Sequence, residues 1–152
     1  MPNLDKAAFT DSGAADAHQV GRILRRYNSP FAGQERAIIA ICEQKRVNPL
    51  VLLAVMQEET VFGTAPNLKR ENLANPFSIH FSPNARGIAK LAGEGGQPVS
   101  FARSLEAAGA RLAQAGMSAT PLYAAAALWG GAGANWAANV QAHYNNLARF
   151  AH

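Results

Sequence analysis

"NPLVLLAVMQEETVFGT", residues 48–64, is the stretch on which the fold turns. Asn48 is a capping residue type and Pro49 suits a first helical position, so a helix is predicted to open here. Its body, "PLVLLAVM", is apolar at every position. No face is left for solvent, and the helix belongs in the middle of the molecule. It ends on two adjacent carboxylates, Glu58 and Glu59, with Gly63 placed to stop it. A solvated helix scatters its charges along one face; this one keeps them for its end.

The C-terminal end of a helix carries about half a negative charge, which disfavours an ionised carboxylate there, and an apolar setting disfavours it further. Both effects raise the pKa toward the range in which a carboxylic acid can protonate a leaving oxygen. The plain alternative is that the pair caps the exposed end of a core helix. Against that alternative, a helix this apolar should end inside the fold.

Upstream, the first fifteen residues are small and polar and are expected to be loose. Order should begin near Asp16, with Val20, Ile23, Leu24 and Tyr27 at helical spacing before the breaker "NSP". A second helix is predicted over Gln34–Arg46, with Ile38, Ile41 and Cys42 inward. Downstream, Thr64 to Ser100 is rich in Pro and Gly and holds only short runs, "PFSIHF" and "PVSF". It reads as a loop-rich lobe with room for a small β-hairpin. Ser104 then caps "LEAAGARLAQA", Thr120-Pro121 opens "LYAAAALW", and a last helix aligns Trp136, Val140, Tyr144, Leu147 and Phe150. The expected fold is mainly α, with a loose segment over 1–15 and a single domain over 16–152.

With 152 residues, 49% hydrophobic and 16% charged, the chain can bury a core without staples. No run approaches the roughly 18 apolar residues of a membrane span, so no membrane insertion is expected. The lone Cys42 excludes an intrachain disulfide and reads as a buried, inert thiol. The net charge of +4 favours anionic partners, but no helix carries a basic stripe with interleaved aromatics, so nucleic acid is not expected. His18, His80, His143 and His152 show no ligand spacing with carboxylates, and no metal or cofactor is expected. "GGAGANW" follows a helix and lacks the third glycine of a dinucleotide fingerprint.

Glu59-Thr60-Val61-Phe62-Gly63 matches the Glu-Ser/Thr-x-aromatic-Gly helix end of lysozyme-like peptidoglycan hydrolases. The segment resembles the glucosaminidases of glycoside hydrolase family 73 and, more distantly, the lytic transglycosylases. "NPFSIH" is similar to that family's Asn-x-Phe-Gly-Ile segment, with Ser78 where glycine is usual. "VSFARSLEAAGARL" is similar to its aromatic-rich strand and following helix, and "YNSPFAG" also occurs in lysozyme-like wall hydrolases. The resemblance spans about Tyr27 to Leu112. "YAAAALWGGAGANW" is less similar to the Ala-Tyr-Asn-Ala-Gly segment of lytic transglycosylases, with Trp129 and Gly130 where Tyr and Asn would stand.

The resemblance implies a lysozyme-like α+β domain that cuts peptidoglycan glycan strands as an N-acetylglucosaminidase or muramidase, with Glu59 as general acid and Glu58 its structural neighbour. Lytic transglycosylase action and a non-catalytic peptidoglycan-binding domain are the alternatives. A two-carboxylate glycosidase needs a partner at about 5–5.5 Å or 6.5–9.5 Å. Beyond Glu59 only Glu71, Glu94 and Glu106 remain. Glu106 suits a helix start, Glu71 sits beside Lys69 and Arg70, and Glu94, in "AGEGGQ", is the candidate second carboxylate. If Glu94 is idle, the substrate's 2-acetamido group can supply the nucleophile. Asn75, Phe77, Tyr123, Trp129 and Tyr144 are the candidate substrate-binding residues, each aromatic being equally a core candidate. The N-terminus shows no signal peptide, so action in the periplasm or cell wall implies special delivery. That would suit a type VI secretion effector with a cognate inhibitor occluding the cleft, or a phage-type lysin.

Overall fold

The computed structural model describes residues 4–65, 74–79, 100–129 and 133–151. Among these the regular structure is helical, with no strand: α1 Lys6–Phe9, α2 Ala17–Arg26, α3 Glu35–Lys45, α4 Pro49–Thr60, α5 Phe101–Ala115, α6 Pro121–Leu128 and α7 Gly133–Ala151. Most of the segment expected to form a loop-rich or hairpin lobe lies outside the described residues.

The Asn48 side-chain oxygen accepts the Leu50 N–H at 2.8 Å, and Pro49 opens α4. Leu50 through Met56 are all buried. A helix apolar all round needs neighbours all round, and α4 packs chiefly on α7, with α3 and α5 also against it. Each fully buried Leu or Val contributes about 1.5–3 kcal/mol relative to exposure. The axis that carries the two carboxylates is therefore the most firmly held in the molecule.

The helix stops before the glycine expected to stop it. Val61, Phe62 and Gly63 are all left-handed, with φ of 49°, 58° and 81°. That conformation is unfavourable for a β-branched residue, and tertiary contacts enforce it. The buried Phe62 ring stacks on Tyr27 at 4.5 Å. Ser29 Oγ donates to the Phe62 carbonyl at 2.8 Å. Thr60 Oγ1 donates to the Pro76 carbonyl at 2.8 Å and accepts the Gly63 N–H at 2.9 Å. Thr60→Val keeps the shape but removes the donor to the Pro76 carbonyl at a buried position, while the Gly63 N–H keeps its bond to the Thr60 carbonyl at 3.1 Å. It should destabilise by about 1–3 kcal/mol, read as a lower urea midpoint with unchanged slope.

Order begins earlier than expected. Leu4 and Phe9 are buried, the Leu4 N–H donates to Gln141 Oε1 at 2.8 Å, and Asn48 Nδ2 donates to the Ala8 carbonyl at 2.9 Å. Two apolar anchors in a polar stretch dock it on α4 and α7. Asp16 caps α2 through a capping box with Gln19. The start of α5 also moves: Ser100, not Ser104, accepts the capping N–H, from Arg103 at 3.1 Å. Ser104 is buried and donates to the Ala74 carbonyl at 3.0 Å. Glu106 consequently lies in the second turn and pairs with Lys45 at 2.8 Å, joining α5 to α3. Arg22 and Arg26, on α2, cover the Phe150 ring at 5.5 and 5.0 Å. Cys42 is buried, and burial, helped by Glu43, pushes its thiol up to about 12.

Candidate functional site

Adjacent residues on a helix point about 100° apart, so the end of α4 aims its two carboxylates in different directions. Both are met by one stripe of α7. Trp136 Nε1 donates to Glu59 Oε2 at 2.9 Å. One turn on, Asn139 Nδ2 donates to Glu58 Oε2 at 3.0 Å, and His143 Nε2 lies 3.1 Å from Glu58 Oε1. Both oxygens of Glu58 are thus engaged, which fits a structural neighbour. Glu59 accepts the indole N–H at Oε2, and the Ser78 side chain also bonds to its carboxyl.

Burial is the largest cause that raises the Glu59 pKa above the ordinary carboxylate range. The Trp136 N–H opposes it, the Glu58 charge adds to it, and Arg111 and the Ser78 hydroxyl oppose it. The direction is that expected from the apolar helix, with burial dominant. Ser78, which stands where the resemblance expects glycine, has φ of 53°, the left-handed region that glycine favours. Asn75 stabilises that turn: its side chain accepts the Ile79 N–H at 3.1 Å and donates to the Ile79 carbonyl at 2.8 Å.

Beyond Trp136 the site continues as a stack. Trp129 lies on Trp136 with ring centroids 5.7 Å apart, and its Nε1 donates to the Phe77 carbonyl at 2.8 Å. The Arg111 guanidinium sits 5.2 Å over the Trp129 ring, and its Nη1 donates to the Leu128 carbonyl at 2.9 Å. The order is acid, indole, indole, guanidinium, built from α4, α7, the end of α6 and α5.

The expected substrate-binding residues divide. Trp129 joins Glu59. Asn75 and Phe77, at 3% and 0% exposed, do not face a ligand; Asn75 holds the turn and Phe77 packs against Phe101. Their polar-aromatic pattern looks like a binding motif because a buried turn needs the same residues. Tyr144 is partly buried against the core. Tyr123 is 61% exposed and lines a different cleft, of about 510 Å³, with Leu4, Pro121 and Gln141. Glu94 and Glu71 lie outside the described residues. Sequence reasoning missed Arg111 and the facing of Trp136, Asn139 and His143. The last three recur at helical spacing, a signal readable only once the helix they face is known.

A carboxyl whose folded pKa is raised above its unfolded value contributes stability that is fully present below the unfolded pKa. That stability is lost as pH rises through the folded pKa. Wild-type protein should therefore lose stability relative to Glu59→Gln as pH rises above the unfolded glutamate value of about 4.3. Melting curves should show the variant gaining on wild type as pH rises above about 4.3, with no such gain below it.

Among the described residues no helix is long and apolar enough to cross a membrane, and no group of three His, Cys, Asp or Glu side chains could hold a metal ion. No protein-family model, curated protein or solved structure matches the chain.

Proposed function

We propose that the chain is a lysozyme-like hydrolase of peptidoglycan glycan strands, with Glu59 as the general acid. The observation that carries the reading is the Glu59 carboxyl itself. It stands at the end of a buried helix, bonded at one oxygen by Trp136 and disfavoured in its ionised form by burial. An acid so placed holds its proton to higher pH than an ordinary glutamate and can deliver it to a glycosidic oxygen as the bond to the anomeric carbon breaks.

Among the described residues, Glu58 is the carboxylate that acts on Glu59, and both its oxygens are bound to α7. The route these residues favour has one acid. Glu59 protonates the leaving oxygen, the substrate's own 2-acetamido oxygen attacks the anomeric carbon, and water opens the resulting ring. Glu94 is the candidate for a second carboxylate. Such an enzyme acts in the periplasm or cell wall, and a producing cell would need an inhibitor to be protected from it.

Digestion of purified sacculi, with product ends identified by mass spectrometry, tests the proposal. Soluble fragments with reducing N-acetylglucosamine or N-acetylmuramic acid ends support hydrolysis and name the bond. Anhydro ends would replace hydrolysis by transglycosylation. Binding to sacculi with no fragments released would leave a wall-binding domain.

A further inference from the structure

Arg111 works against the acid it adjoins. A cation near Glu59 favours the ionised carboxylate, whereas a general acid must stay protonated. The guanidinium is also half-buried and has no ion-pair partner among the described residues. Its placement is nonetheless firm. Nη1 is bonded to the carbonyl of Leu128, the last residue of α6, where the helix end favours a cation, and the guanidinium plane rests over Trp129. One of five N–H donors is used, and the fork of an arginine matches a carboxylate in two-point geometry. A substrate anion would resolve the conflict: seated on Arg111, it would cancel the pull on Glu59 and leave the acid more firmly protonated in the complex than in the free protein.

We infer that Arg111 is a specificity-determining residue that receives a carboxylate carried by the glycan beside the bond to be cut. The inference rests on the proposed function for its substrate. In peptidoglycan that carboxylate has two sources: the lactyl group of a muramic residue, free once the stem peptide is removed, and the acidic residues of the peptide itself. The lactyl group is the nearer to the sugar ring and is the expected ligand. Arg111 thus directs the site toward glycan stripped of its peptides.

Binding can be measured without cleavage, using Glu59→Gln protein and the fluorescence of the indole pair. The probes are soluble glycan chains in three forms: lactyl carboxylates free, the same carboxylates converted to methylamides, and stem peptides retained. Free chains should bind roughly 10-fold tighter than methylamide chains, the scale of a hydrogen-bonded charge pair. Adding Arg111→Gln should abolish the ratio between free and methylamide chains, whereas a merely structural role would weaken both forms and leave their ratio intact. Arg111→Lys should restore part of the preference and guards against misfolding of the Gln variant. Tighter binding of peptide-bearing chains alone, lost with Arg111→Gln, would support the same role with the peptide as source.

Equal binding of free and methylamide chains, or a preference that survives Arg111→Gln, overturns the inference. Failure to bind any chain overturns it together with the substrate class. The two readings also fail separately. Wild-type protein that cuts free and methylamide chains equally removes this inference and leaves the hydrolase; preferential binding with no cutting does the reverse.

Discussion

Glu59→Gln is expected to slow the release of soluble fragments from sacculi by about 10²–10⁴-fold, the range that general acid catalysis contributes. Glutamine keeps the shape and can still accept the Trp136 N–H through its carbonyl oxygen, so the fold should persist. It has no proton to give. Glu58→Gln is the informative contrast, because in the proposed reaction Glu58 gives no proton and acts on Glu59 through its charge alone, itself held by Asn139 and His143. Loss of that charge lowers the proton affinity of Glu59, so the alkaline limb of the pH–rate profile should move to lower pH while the plateau changes little. Equal rates for wild type and Glu59→Gln at every pH would remove Glu59 from the chemistry.

The second large effect is expected at Gly63. A Cβ there would lie 2.7 Å from Phe31 Cε2 and would sit on a backbone with φ of 81°. The Phe31 ring cannot swing aside freely, since its other neighbour is Phe101, stacked at 4.5 Å. Steric overlap costs about 1–3 kcal/mol and the left-handed backbone about 1–2 kcal/mol more. Gly63→Ala should therefore lose about 3 kcal/mol, or about 6–12 °C in melting temperature for a chain of this size. The Gly63 N–H is also bonded to Thr60 Oγ1, next to the acid. Fragment release should fall even at temperatures where the variant is folded. A melting temperature within about 2 °C of wild type, less than 1 kcal/mol by the same scaling, would show that the turn gives way at no cost.

The helices with strong local signals were legible before any coordinates. Asp16, Asn48 and Pro49 announce their helices because capping is settled within a few residues. The preference for Glu59 over Glu58 rests on a resemblance; the environments of the two were not readable from it, one carboxyl being shielded with a raised proton affinity and the other tied at both oxygens. What stayed hidden is non-local. Ser100 and Ser104 are equally plausible caps until one is found bonded to Ala74. Leu4 and Phe9 look like strays in a polar tail until α4 and α7 are there to receive them. Arg111, in a helix of alanines, carries no local sign of facing an indole contributed by the end of another helix.

The partners of the two carboxylates lie 77, 81 and 85 residues further along the chain. During synthesis at roughly 5–20 residues per second, the ribosome completes α4 several seconds before it makes Trp136. For that interval Glu59 has no indole beside it and lacks the α7 wall that helps to exclude water. The setting that raises its proton affinity is complete only when the last helix docks. A chain shortened to lack α7 should therefore leave Glu59 in water, with a proton affinity below that of the intact chain.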